Sequence, residues 1–302
     1  MTTLATAIDL VVNRLGKSTS QLINVHNGAL NSTQTNITLT YDMAGSGVGS
    51  IIEINTEQMY VVAQSSLTRT VIRGWNGTPA ASHSSGAVIR VNPRFTKHAI
   101  LGSFADELNS WPVELGPWDT VEVVVPAFEW IVELAPTRSG AAIQRLLDAN
   151  IQPDTTSSFR QRSRIDVRMV RDADADEYTS GYAIQMPHRF DKTRTVQVDM
   201  ITNFDLTAVN AGTTTVDLLT TTGVRSSLLD VLYYGVMWRE MSSMEVGRTD
   251  PSANAPLDAA EVPPTHLMQA GAALKQIRDT RMSEERTRMH DTWPLLMTTA
   301  GS

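Results

Sequence analysis

Residues 67–91, LTRTVIRGWNGTPAASHSSGAVIRV, constrain the fold more than any other stretch of the chain. Two β-type segments, 67–73 and 87–91, enclose a loop dense in Gly, Ser, Thr and Asn. Just upstream, 50–55 and 58–63 are rich in Ile, Val and Tyr. The pattern predicts a compact antiparallel β unit whose long connection carries Arg73, Gly74, Gly77, Thr78, Ala80, His83 and Gly86. Glycine reaches backbone angles closed to other residues, and Asn76-Gly77 is a strong turn signal. These residues specify a shaped turn. Alone, they specify no catalytic site.

Around this unit the chain alternates between helical and β textures. Leu4, Ile8, Val11 and Leu15 form one apolar stripe of a helix over 1–16, with Thr3 or Thr6 as its cap and Gly16 as its end. Segment 17–93 reads as a small β barrel or sandwich, with further strands at 22–25 and 37–41, and Pro93 closes it. Phe95, Ile100, Phe104, Leu108 and Trp111 predict a linker helix within 94–112, stopped by Pro112. Segment 113–223 reads as a second β domain, a sandwich. Its predicted strands are 120–125, 130–134, 164–170, 182–186, 195–201 and 214–219, with one short helix at 141–150.

From residue 224 to 302 a helical pair is expected, joined by a Pro-rich loop over 248–264. Ser227 and Asp230 make a capping-box-like start to a helix apolar nearly all round, and such a helix is buried on several sides. In the last helix Leu267, Ala270, Leu274 and Ile277 set an apolar stripe, continued by Met282, Met289 and Trp293. Glu284 and Arg288 stand in the favourable i, i+4 order on its outer face. The fold class is therefore α+β and mainly β, with the terminal, linker and C-terminal helices gathered into a docking bundle.

Composition narrows the chemistry. A chain of 302 residues with 41% hydrophobic and 19% charged content suits an ordinary globular protein of about two domains. A net charge of −7 argues against a general nucleic-acid binder. With no cysteine, disulfides and zinc–thiolate or iron–sulfur sites are excluded. No apolar run approaches the ~18 residues of a membrane span, and Asp9 interrupts the N-terminal apolar stretch, so neither a signal peptide nor a membrane partner is expected.

Candidate sites are few. Asp172, Asp174, Asp176 and Glu177 alternate like calcium ligands, but the glycine and the bidentate glutamate of an EF-hand loop are missing, so a solvated acidic turn is expected. His83 lies near Ser82 and Ser84 with no recognisable acid partner, and is read as bonding to loop backbone. Gly45, Gly47 and Gly49 precede a strand instead of opening a helix, which removes the geometry of a phosphate loop. No catalytic residue, cofactor or metal site is assigned. The one electrostatic feature is 159–171, FRQRSRIDVRMVR. If extended, it places Arg160, Arg162, Arg164, Asp166 and Arg168 on one face, for a neighbouring subunit, a solvated edge or the phosphates of DNA.

The spacing R-G-x-x-G-T-x-A-x-x-H-x-x-G, followed by a strand and N-P-R-F, resembles a module of tailed-bacteriophage structural proteins. The second half adds a D-x-L-x-Y-G-x-M-W-R helix carried by Asp230, Leu232, Tyr234, Gly235, Met237, Trp238 and Arg239. A long helix follows with Ile277, Arg278, Arg281, Glu284, Glu285, Trp293 and Pro294, and the pair is similar to that of phage head-to-tail connector (adaptor-type) proteins. The resemblance implies a non-enzymatic virion protein, assembled in the bacterial cytoplasm. Copies would form a ring in the neck, joining portal and tail proteins around the DNA passage. The alternatives are a tail, baseplate or capsid-decoration protein and, further off, a β-sandwich glycan-binding or hydrolase module. The candidate interface residues are Arg73, Trp75, His83, Arg160, Arg162, Arg164, Arg168, Trp238, Arg278, Arg281, Glu284, Glu285 and Trp293.

Overall fold

A computed structural model describes residues 2–16, 22–138, 141–151, 163–249 and 266–292. The architecture is α+β and mainly β, as expected. The chain forms two compact units. One comprises Met1–Leu108, Leu206–Leu218 and Asp230–Asp279; the other comprises Asn109–Asp205, Leu219–Leu229 and Thr280–Ser302.

The first unit contains helix α1 (Leu4–Gly16) and six strands: β1 (Leu22–Val25), β2 (Asn36–Thr38), β3 (Ile51–Ile54), β4 (Glu57–Ser65), β5 (Thr68–Ile72) and β6 (Val88–Val91). The strands pair antiparallel in the order β1-β6-β3-β4-β5-β2. The two outer strands then meet beyond their ends. Asn27 N donates to Thr38 O (2.8 Å), Thr40 N to Val25 O (3.0 Å), and His26 bridges Leu39. These bonds curl the sheet towards a closed barrel, which covers edges that would otherwise pair with other chains. A register shift between Val61 and Ala63 adds local bend to the longest strand. Side chains alternate inward from Ile37, Leu39, Ile52, Ile54, Met59, Val61, Val71, Ile89 and Val91, all almost fully buried.

Helix α2 (Lys97–Asn109) follows, then the short α3 (Thr207–Asn210) and α4 (Leu218–Thr222), and the long α5 (Leu229–Thr249) and α6 (His266–Thr292). Thr3 Oγ1 accepts Thr6 N (3.2 Å) and caps α1, whose buried stripe is Leu4, Ala7, Ile8, Val11, Val12 and Leu15. Within the first unit α1, α2, α5 and the first half of α6 share a bundle. Lys97 pairs with Asp9 (2.6 Å), Phe104 packs edge-on to Tyr233, and Ser103 Oγ donates to the buried Glu240 (2.6 Å). At its centre Glu107, with a fully buried side chain, accepts from Arg239 (2.9 Å) and Arg278 (2.7 Å). Leu267, Leu274, Met282 and Met289 lie on the buried face of α6 as expected, and that carboxylate changes the face at one position. Ile277 is exposed and Arg278 turns inward, so the stripe runs Leu267, Gly271, Leu274, Arg278, Met282, Glu285 and Met289. Ser227, expected as a cap for α5, instead reaches Glu285 (3.4 Å).

The second unit holds β7 (Trp118–Val125), β8 (Ile131–Glu133), β9 (Ile143–Ile151), β10 (Ser163–Arg164), β11 (Arg168–Arg171), β12 (Tyr182–Gln185) and β13 (Arg194–Thr202). One sheet has the order β10-β9-β13-β7, the other β11-β12-β8. Val123, Val125, Ala149, Val196, Val198 and Met200 of the first meet Val132, Leu134, Ile184 and Met186 of the second, together with Phe190, in one core. Each fully buried aliphatic side chain of this kind contributes about 1.5–3 kcal/mol.

Three expectations about the segment 113–223 are corrected. Residues 143–151 are strand β9, not a helix, because they register along β13 from Val196 to Thr202. The run 214–219 is not a strand: Val216 O and Thr214 O accept Leu4 N (3.0 Å) and Ala5 N (2.9 Å), after which α4 begins. The described part of the basic run is not one strand. It breaks after Arg164 and resumes at Arg168 in the other sheet, because Ile165 and Val167 turn into the core.

Candidate functional site

The motif loop is built around a residue that the spacing alone did not flag, Glu57, the first residue of β4. Arg73 Nε donates to its Oε1 (2.6 Å) and Arg73 Nη2 to its Oε2 (2.8 Å). Gly74 N (3.3 Å) and Ala81 N (3.0 Å) add backbone donors, and His83 Nε2 lies 2.8 Å from Oε2. On the other ring nitrogen, Asn55 Nδ2 donates to His83 Nδ1 (3.3 Å). Burial on its own would push the Glu57 carboxyl up, but the bonds from Arg73, His83 and Ala81 prevail and hold it down at about 2. His83 therefore has an acid partner after all, 26 residues upstream.

The same partners show what this cluster does. Side-chain exposure is 1% for Glu57, 1% for His83 and 7% for Arg73. Arg73 also donates to the carbonyls of Asn31 (2.7 Å), Gln34 (2.7 Å) and Ala81 (2.6 Å), tying two loop segments to one guanidinium. His83 N and O exchange bonds with Leu30 (2.7 and 2.9 Å). Thr78 Oγ1 accepts from Gln58 N (3.0 Å) and donates to Trp75 O (2.9 Å). Gly74 has φ +64°, and a Cβ there would stand 2.8 Å from Thr78 O. Arg73, Gly74, Thr78 and His83 thus hold the loop's shape. Arg73 and His83, expected as interface residues, are interior ties instead, because their polar groups face Glu57.

Two other buried arginines serve the barrel similarly. Arg69, fully buried, donates to Ser46 O (2.7 Å) and Ser66 O (2.6 Å). Arg90 pairs with Glu53 (2.5 Å), whose other oxygen accepts Lys97 N (2.6 Å) at the start of α2. Burial pushes the Glu53 carboxyl up to about 7 despite Arg90 and Lys97 pulling the other way.

The remaining expected interface residues are dispersed. Trp75 is half-buried and stacks on Tyr60 with centroids 4.7 Å apart. Trp238 is half-buried beneath Lys275 (5.1 Å) and Arg239 (5.2 Å). Arg278 belongs to the Glu107 centre. Arg281 pairs with Glu284 (2.5 Å) and the buried Glu285 with Arg288 (3.0 Å), so the outer-face pairs form at i, i+3 rather than between Glu284 and Arg288. Arg164 pairs with Asp148 (3.0 Å) and Arg168 is exposed. Arg160, Arg162 and Trp293 lie outside the described residues. In the acidic turn Asp174 caps its own loop, accepting Asp176 N (3.0 Å) on its carboxylate and Tyr178 N (2.7 Å) on its carbonyl.

The second unit carries a surface that no motif announced. Strands β7 and β8 are the last strands of their respective sheets, and between them lies a groove of about 530 Å³. Val121, Ile131, Glu122, Glu129, Glu133 and Glu177 are among the residues that line it, with no Lys or Arg among its described lining residues. Glu133 is held in place by Thr179 Oγ1 (2.8 Å) and Ser180 N (2.7 Å), bonds that lower its pKa. The Tyr178 hydroxyl is pushed up by desolvation and by the charges of Glu177 and Glu129, as a negative field requires.

At one end of the groove, the turn between β7 and β8 presents Phe128 (68% exposed) and Trp130 (44% exposed) beside Val124 (60% exposed). Phe128 has φ +66°, the only aromatic among six described non-glycine residues with positive φ. A bulky side chain in that region is a strained outlier. Its N–H is fixed to Phe190 O (2.9 Å). Alternating Val in 121–125 and the P-A-F-E-W turn could have marked an edge strand with an aromatic tip, but the carboxylates converge only through the second sheet. No protein-family model matches this chain, and no curated protein matches it at significant similarity.

Proposed function

We propose that this chain is a non-enzymatic structural protein of a tailed-phage virion. Its copies form a homo-oligomeric ring in the head-to-tail connection, joining the portal and tail proteins around the DNA passage. The reading rests on the connector-like residues in both halves of the sequence. One structural observation supports it: the motif loop is a rigid lattice in which Glu57 gathers Arg73, Gly74, Ala81 and His83. A scaffold that must present the same surface in every copy of a ring requires such fixed loops. The buried Glu107 centre gives the helices the same fixed register.

The test is direct imaging of the purified full-length protein. Electron micrographs should show closed rings of one diameter, and mass measurement under native conditions should give one copy number. A monodisperse monomer at every concentration up to about 100 μM, weaker than any specific standard-size interface, overturns the reading.

A further inference from the structure

We infer that the acidic groove between β7 and β8 is the docking site for the basic run around Arg160 and Arg162, just before β10, of a second copy of this chain. The inference deepens the ring reading by naming the contact that would build the ring. Two observations on the groove point to an extended, cationic occupant. First, β7 and β8 each end a sheet, and an outer strand offers backbone donors and acceptors to an added strand. Second, Glu129 and Glu177 stand among Val121, Val123, Ile131 and Val132 in the groove lining, so the groove pairs carboxylates with apolar surface and favours a cationic occupant over a purely apolar one.

The chain supplies the complementary segment. Arg160, Arg162 and Arg164 alternate with Gln161 and Ser163 directly after Phe159. An added strand with that period presents Arg160 and Arg162 to one side, which suits the Glu129 and Glu177 carboxylates of the lining, and the exposed Phe128 offers a ring for guanidinium stacking. Groove and basic run are different patches of one molecule. A contact between unlike patches is head-to-tail, and it closes into a ring when the rotation between copies allows.

The experiment uses charge reversal in the full chain. Glu129→Lys/Glu177→Lys and Arg160→Glu/Arg162→Glu leave Glu133 with its bonds to Thr179 and Ser180, and Arg164 with its pair to Asp148. Each variant should raise the concentration for half-assembly by about tenfold or more, and mixing the two should restore assembly through the swapped pair. If wild type forms rings and both variants assemble as it does, the groove assignment is overturned while the ring reading stands.

A fluorescent peptide of residues 157–164, SSFRQRSR, gives a readout that needs no ring. It should bind wild type and bind Glu129→Lys/Glu177→Lys about tenfold more weakly, with the difference shrinking in high salt. If wild type forms open chains instead of closed rings and still binds the peptide in this way, the ring reading fails and the groove assignment holds; a monomer at every concentration overturns both. No binding, or equal binding by a shuffled peptide of the same composition, overturns the assignment. Circular dichroism melts of each variant distinguish lost contacts from lost folding.

Discussion

Glu57 shows how one residue can organise the whole loop between β5 and β6. Its two oxygens receive five donors, from Arg73, His83 and two backbone N–H groups. Removing it leaves the Arg73 guanidinium buried with its charge uncompensated, so Glu57→Ala should cost about 3–5 kcal/mol of barrel stability. Urea unfolding followed by tryptophan fluorescence measures this; a loss under about 1 kcal/mol would show that water replaces the carboxylate readily. The same pairing predicts acid sensitivity. The folded carboxyl is depressed from 4.5 to about 2, so its contribution is complete above 4.5 and vanishes as pH falls towards 2. A melting temperature that falls over that window in wild type, and falls less in Glu57→Gln, fits this assignment; identical pH profiles contradict it. Glu57 was hidden in the sequence because its partners lie 16 to 26 residues away, whereas Arg73, Gly74 and His83 advertised themselves by spacing.

At the scale of elements, what was legible depended on whether local pattern or a distant partner decided the outcome. Strands β1, β3 to β6, β12 and β13 follow from alternating apolar residues between turn signals, and each was readable to within two or three residues. Residues 143–151, IQRLLDANI, contain strong helix formers, yet pairing with β13 over 196–202 overrides propensity. Helix α6 was readable as a helix and in most of its buried face, Leu267, Leu274, Met282 and Met289, but not at Ile277, because a buried glutamate on α2 selects Arg278 instead. The same centre makes a prediction about Gly235. A Cβ there would come within 2.2 Å of Glu107 Cδ, and that carboxylate cannot swing aside while Arg239 and Arg278 hold it. Gly235→Ala should therefore cost about 1–3 kcal/mol through overpacking, despite alanine's better helix propensity. In a Glu107→Ala background the clash is gone, and the added methyl should be neutral or stabilising. Equal effects in both backgrounds would remove Glu107 as the reason glycine stands there.

Across the whole molecule, stability and surface make opposing demands, and Phe128 is where they meet. Its backbone is held at φ +66° while its ring is 68% exposed, so the fold bears the strain and gains little burial in return. Glycine at this position would remove the strain and keep the backbone bond to Phe190 O, because that bond uses the N–H alone. Phe128→Gly should then raise the stability of the second unit by about 1 kcal/mol, offset in part by the extra freedom of glycine in the unfolded chain. If the ring serves as an anchor at the end of the acidic groove, the same variant should weaken assembly by about tenfold, within the range of an aromatic contact residue. Phe128→Leu separates the two effects, since it keeps the backbone strain and replaces the aromatic ring with an aliphatic one. It should melt like wild type and assemble between wild type and the glycine variant. A glycine variant that is more stable and assembles normally would show that the strained turn serves no contact between copies, whatever ring the protein forms.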